Sequence, residues 1–283
     1  MNILEYSFNC CETSGTTDPY EDYCHRLDTL SASMPPELQR PLQRIYLGFE
    51  FCENMFCMSS IPDLKKKIQH TAQCGYRISF VLPIMHQSCV KTFIDTIQSL
   101  ESQDLLDEWI INDIGTLIIM RETLGITRAI SLGRMFDKGL RETRVDITED
   151  EFIRRNFEDL QPKGGESEEF LGLVHQYHIT GIETDTFPDG ILDSTRAGLR
   201  YHVHYPDIYL SSAAYCEYEG LGKERPFMLH SSCSMPCRLY GQRIKTTRGA
   251  LLKKIGNVLY AEQTRPIEAC VRGDIRMVYS CRE

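Results

Sequence analysis

Twelve cysteines in a chain of 283 residues are the first feature with chemical potential. They are too scattered for a small disulfide scaffold, in which cysteines crowd a short chain. Cys52 follows the apolar run "RIYLGFEF" (44–51), where a buried strand opens into a loop. Cys216, Cys233 and Cys237 fall within "YCEYEGLGKERPFMLHSSCSMPCRLYG" (215–241), the last two as a C-x3-C pair. A C-x3-C hairpin puts two sulfurs within reach of one metal, and Cys216 with Cys52 completes a set of four. Four thiolates suit either a structural zinc or an iron–sulfur cluster, and spacing does not separate these. Cys74 and Cys89 lie in helical patterns and fit plain core roles, since free Cys is among the most buried residue types. Cys57, Cys270 and Cys281 are left without an assignment.

Other constellations are less specific. Glu183 and Asp185 stand two apart on a strand, so both face one side and could form an acid/base pair or a hydrogen-bond network. His202 and His204 have a metal-like spacing, with a structural pairing the plainer reading. "SSCS" (231–234) lacks the G-x-S-x-G setting of a serine nucleophile, and no Cys–His pair is nominated for nucleophilic catalysis.

The elements that must position these residues are short apolar runs alternating with amphipathic stretches. Strands are expected at 2–8, 44–51, 77–84, 108–113, 128–133, 179–185, 200–205 and 208–215. Helical patterns cover 61–75, 88–102, 114–125 and 188–198, three of them closed by glycine. Such alternation argues for parallel pairing in an α/β protein, and eight strands make a TIM-type (β/α)8 barrel, complete or distorted, the leading architecture. A doubly wound sheet is the runner-up, without a Gly-rich phosphate loop to support it. The chain reads as one barrel domain over 1–283, with an acidic insertion at 138–176 between strands five and six and a short β-rich extension at 238–283.

Reactive residues of a parallel barrel gather at the C-terminal strand ends. On that geometry Cys52 and Cys216 share a rim with His86, Asn112, Asp113, Arg134, Glu183, Asp185, His202 and His204. Asp113, Arg134, Glu183 and His204 are the candidate catalytic residues. The Arg134 fork suits bidentate pairing with a carboxylate of substrate or donor.

Net charge is −9, and much of the acid is concentrated in 146–170. Duplex nucleic acid is disfavoured as a partner, because phosphate contacts require clustered Lys and Arg. The basic stretch at 238–254 reads as a charged face of a strand–turn–helix. No run of about twenty apolar residues could span a bilayer. The opening "MNILEYSFNCCETSG" lacks a basic region followed by a long apolar one, so a cytoplasmic location is expected.

Three segments carry a resemblance. "RIYLGFEFC" (44–52), with its IYLG-x3-Cys, "WIINDIGTLIIMRETLGITRAISLGRMFDKG" (109–139), and the Cys216…Cys233-x3-Cys237 group resemble the collagenase-like peptidase U-32 family, nearest its UbiV-like branch. The resemblance spans roughly residues 40 to 245 and implies a barrel. It also implies a 4Fe–4S cluster on Cys52, Cys216, Cys233 and Cys237, with zinc the alternative. The activity implied is oxygen-independent hydroxylation of a small-molecule ring or an RNA base, as catalyst or as subunit of a heteromer with a second U-32-type barrel protein. A carboxylate-bearing donor such as prephenate is implied in the same way. The alternatives are a metal-dependent collagenase-like peptidase, or a non-catalytic partner subunit bearing a cluster or zinc. The chain departs from the branch in its Cys216–Cys233 spacing, its acidic insertion and its extra cysteines.

Overall fold

A computed structural model describes residues 2–11, 20–21, 23–25, 27, 42–137, 168–186, 191–194, 199–213, 216–220, 233, 235–238, 242–245 and 251–280. Eight parallel strands close on themselves in the order β1 (Asn2–Asn9), β2 (Arg44–Gly48), β3 (Arg77–Leu82), β4 (Glu108–Ile111), β5 (Ala129–Leu132), β6 (Ile179–Asp185), β8 (Arg200–Ser212) and β13 (Asp274–Ser280). The last strand pairs with both β8 and β1, which completes the TIM-type barrel. A short strand, β7 (Leu192–Asp193), pairs separately with β12 (Val271–Arg272).

One strand assignment is corrected. The run at 208–215 is not the eighth barrel strand. Residues 207–212 continue β8 beyond its parallel partners and turn antiparallel against β11 (Val258–Glu262). Pro206, where the parallel pairing ends, has no amide hydrogen to offer a neighbour. The eighth strand is Asp274–Ser280, inside the stretch expected to be an extension. The rest of that stretch adds β9 (Gln242–Lys245) and β10 (Leu251–Ile255) to an antiparallel sheet outside the barrel. Most of the acidic insertion, 138–167, lies outside the described residues, as do Cys281 and 188–190 and 195–198 of the expected 188–198 helix; the described Leu192–Asp193 of that stretch is strand β7 and not helix.

Two periodicities place the core. Ile45, Leu47, Ile78, Phe80, Trp109, Ile111, Ile130, Leu132, Val203, Ile275 and Met277 are buried, and they recur at alternate strand positions in one apolar cluster. Helices cover that face: α1 (Glu53–Met58), α2 (Ile61–Gln73), α3 (Val90–Glu101), α4 (Ile114–Ile118) and α5 (Glu168–Gln176). Helix α2 shows why the sequence folds so. Ser60 caps its N-terminus, Pro62 fits the first turn, and Leu64, Ile68 and Thr71 form one buried stripe before Gly75 ends it at φ 84°. Burying such side chains contributes about 1.5–3 kcal/mol each.

The intervening strand positions point into the barrel, and many are polar: Glu5, Arg44, Ser79, Glu108, Ser131, Glu183, Asp185, His202, His204 and Arg276 are all buried. TIM barrels usually fill this space with branched apolar layers. Here only a small apolar group, including Tyr46, Val81, Ile110 and Val278, interrupts the polar ones. Among the described residues, no helix is long and apolar enough to cross a membrane.

Candidate active site at the barrel mouth

The lower polar layer is a balanced charge network. Arg276 donates to Glu5 at 2.7 Å and Glu108 at 2.5 Å, and Arg44 donates to Glu5 at 2.8 Å. Ser79 and Ser131 donate to the two Glu108 oxygens at 2.7 and 2.6 Å. Burial opposes the Glu108 charge, yet the surrounding cations hold its carboxyl well below the usual range. His202 is not one of those cations at neutral pH. Burial, and then Arg276, push it well below its ordinary value, so the two guanidinia carry the effect on Glu108. Arg276 Nη1 lies 3.3 Å from His202 Nδ1. A guanidinium can only donate, so Nδ1 accepts and the imidazole proton resides on Nε2. Gly181 makes room for that ring, since a Cβ there would stand 2.8 Å from Nε2.

The upper layer holds the groups suited to chemistry. His204 Nε2 lies 3.2 Å from Glu183 Oε1, and both side chains are fully enclosed. Burial raises the Glu183 carboxyl well above the carboxylate range, the Glu50 charge adds to this, and Arg134 opposes it. Glu183 is therefore an acid placed beside an imidazole. Arg134 Nη2 meets Asp185 at 2.6 Å and donates to the Asp207 carbonyl at 2.8 Å, while Nη1 is 3.7 Å from Glu50. Asp185 also accepts from the Tyr209 amide at 3.1 Å, and Lys253 lies 3.4 Å from the Asp207 carboxylate.

Loop geometry at the rim is set by side-chain amides. Asn112 donates to the Glu50 and Leu82 carbonyls at 3.1 and 2.9 Å and accepts from the Met135 amide at 3.3 Å. That amide occupies the space a Cβ at Gly133 would need, with 2.3 Å to its oxygen. Above the mouth Phe51 stacks on Tyr209 at 4.7 Å, and the Arg134 guanidinium lies 6.0 Å from the Tyr260 ring. The antiparallel sheet thus supplies an aromatic cover to Arg134.

Of the four expected catalytic residues, Arg134, Glu183 and His204 meet in this layer. Asp113 is elsewhere: it caps α4, accepting from the Thr116 amide at 2.8 Å and its hydroxyl at 2.6 Å. Arg134 is engaged by Asp185 within the protein, where a bound carboxylate was expected to sit. His202, expected at the rim, lies in the lower layer beside Arg276; Glu50, Asp207, Lys253 and the charged residues of the lower layer were not anticipated. The alternation of polar with apolar residues in "RIYLG" and "HVHY" carried the signal, because every second residue of a barrel strand faces inward.

The thiols gather by chain segment. Cys52 is the N-cap residue of α1. The Asn257 amide, in the β10–β11 turn, donates to the Phe51 carbonyl at 3.1 Å and the Ala213 carbonyl at 3.0 Å. Its neighbour Gly256, at φ 56°, faces Cys237: a Cβ there would be 3.9 Å from the Cys237 sulfur. Burial raises Tyr218, and the nearness of Cys216 and Cys237 adds to it. The segments bearing Cys52, Cys216 and Cys237 therefore converge on one turn. Cys233, whose sulfur accepts from the Met235 amide at 3.3 Å, lies four positions before Cys237. Among the described residues, no three His, Cys, Asp or Glu side chains stand in a ligating arrangement, so the donor set fits a thiolate centre by segment and not by sulfur position.

A prediction follows from Glu183. Its folded value is raised above the unfolded one, about 4.3. Its stabilising contribution is thus complete below that value and is lost as pH rises through the folded one. The urea midpoint of Glu183→Gln, followed from about pH 5 to 9, should gain on the native chain as pH rises. A constant difference would mean that Glu183 is charged throughout.

No family model and no curated protein matches this chain. Among solved structures it is similar to one described as "The Structure of the U32 Peptidase Mk0906", at 11% identity and a TM-score of 0.39, covering 100% of this chain and 94% of that one. A likeness at that level decides nothing, and the barrel assignment rests on the strand pairings of this molecule.

Proposed function

We propose that this chain is an iron–sulfur barrel protein of the U-32 kind, taking part in oxygen-independent hydroxylation of a small-molecule ring or an RNA base. The carrying observation is the Asn257 amide, which ties the chain ahead of Cys52 to the chain ahead of Cys216 while the adjoining Gly256 faces Cys237. Cys52, Cys216, Cys233 and Cys237 would hold the cluster. A bound cluster would supply one-electron transfer at a potential set by hydrogen bonds to sulfur and by burial.

The protein's own groups have separate tasks. Glu183 and His204 hold and move a proton between Oε1 and Nε2, away from bulk water. The Arg134–Asp185 pair fixes the two strand ends on either side of them, and the Phe51–Tyr209 stack excludes solvent from above. A carboxylate-bearing co-substrate would have to compete with Asp185 for Arg134, which makes that pair the natural place for donor recognition. A second barrel protein as heteromeric partner belongs to the same reading.

Anaerobic purification with iron, sulfide and zinc analysis tests it, comparing the native chain with Cys52→Ala and Cys237→Ala. The expected result is a brown protein with about four irons per chain that bleaches in both variants. A colourless native protein holding one zinc would overturn the cluster and leave a metal-stapled barrel.

A further inference from the structure

Two thiols lie together beside the mouth, outside the proposed ligand set. Cys57 sits on α1, and Cys89 ends the tight turn Gln87–Cys89 between β3 and α3. Glu53 and Cys57 are four residues apart on one helix, so their side chains share a face. Cys89 Sγ donates to Glu53 Oε1 at 2.9 Å, which brings its sulfur onto that face. There the Cys57 and Cys89 thiols lie close enough to perturb one another. The turn is tied to the helix a second time by the His86 amide, which donates to Glu53 Oε2 at 3.1 Å. Both residues are partly exposed.

We propose that Cys57 and Cys89 form a reversible dithiol that closes to a disulfide and staples α1 to the turn after β3. The inference does not rest on the proposed cluster. Cys89 attacks first, because it ends a turn whose Gln87 and Ser88 are both exposed, whereas Cys57 lies on a helix between the buried Phe56 and the exposed Met58. With a small disulfide as oxidant, the Cys89 sulfur bonds to one sulfur of the reagent and expels the other as a thiol. Cys57 then attacks the mixed disulfide and expels the second thiol. The two protons that the protein loses end on the two released thiols. The two electrons that it gives up reduce the reagent's S–S bond, so atoms and charge balance. Burial first, with the Glu53 carboxylate adding to it, pushes both thiols above their ordinary value. The pair therefore persists as a dithiol until an oxidant is present.

The test is exposure of the purified full chain to oxidised glutathione without oxygen, followed by alkylation and peptide mass mapping. A Cys57–Cys89 linked peptide is expected at about tenfold or more over any other pairing, reversed by dithiothreitol. In Cys57→Ser, Cys89 should stop at the glutathione adduct. Independent alkylation of both thiols in the treated native chain would overturn the proposal, as would a dominant link from Cys89 to another cysteine. The native map decides the matter even where the variant fails to fold.

Discussion

Arg276→Met should destabilise the fold by about 3–5 kcal/mol, the range for removing one partner of a buried ion pair. Arg276 bonds both Glu5, on the neighbouring strand, and Glu108, on β4. Met fills much of the same volume but returns no charge. Glu5 then keeps Arg44 and the half-exposed Arg77, whereas Glu108 keeps Arg44 at only 3.7 Å. Both carboxyls are lowered in the folded chain: burial opposes this, and the arginines outweigh it, with Arg276 the foremost at Glu5. A lowered acid contributes stability above its unfolded value that is lost as pH falls through the folded one. The native chain should therefore weaken steeply in acid, and Arg276→Met should show a shallower loss there. Urea unfolding at neutral and acid pH measures both. A cost within about 0.5 kcal/mol, as for an ordinary surface change, would mean that Arg44 alone neutralises the layer.

Gly48→Ala should be nearly as damaging, at about 3–4 kcal/mol, the upper end for point changes. Gly48 has φ 108°, a conformation that side chains other than hydrogen rarely adopt. An added Cβ would stand 2.2 Å from the Val81 carbonyl oxygen and 2.9 Å from its nitrogen. Both are backbone atoms of the neighbouring strand, and the same carbonyl accepts from the Phe49 amide at 2.9 Å. The clash cannot be relieved by a rotamer change, so β2 must part from β3. Glu50 and Cys52 follow within four residues, so the damage should reach the barrel mouth, and the unfolding midpoint should fall; if the proposed cluster is present, iron content should fall with it. Full stability in the variant would show that this backbone relaxes freely.

Local sequence determined a good deal here. Alternating runs such as "RIYLG" fixed strands at their positions, Ser60, Pro62 and Gly75 bounded α2, and the strand–helix order specified parallel pairing. Arg134, Glu183 and His204 could be placed at strand ends because a strand's period of two sends each residue to a definite face. Closure of the barrel was decided by tertiary structure alone. Residues 208–212 and 274–280 are both apolar runs that read as strands, and only packing assigned the first to the sheet outside and the second to a place between β1 and β8. The partners of the inner charges were equally invisible. Glu5 and Arg276 are 271 positions apart, and a charge in a strand carries no mark of what it will face until the barrel closes. For the same reason Asp113 read as a reactive residue, although a helix start one position later turned it into a cap.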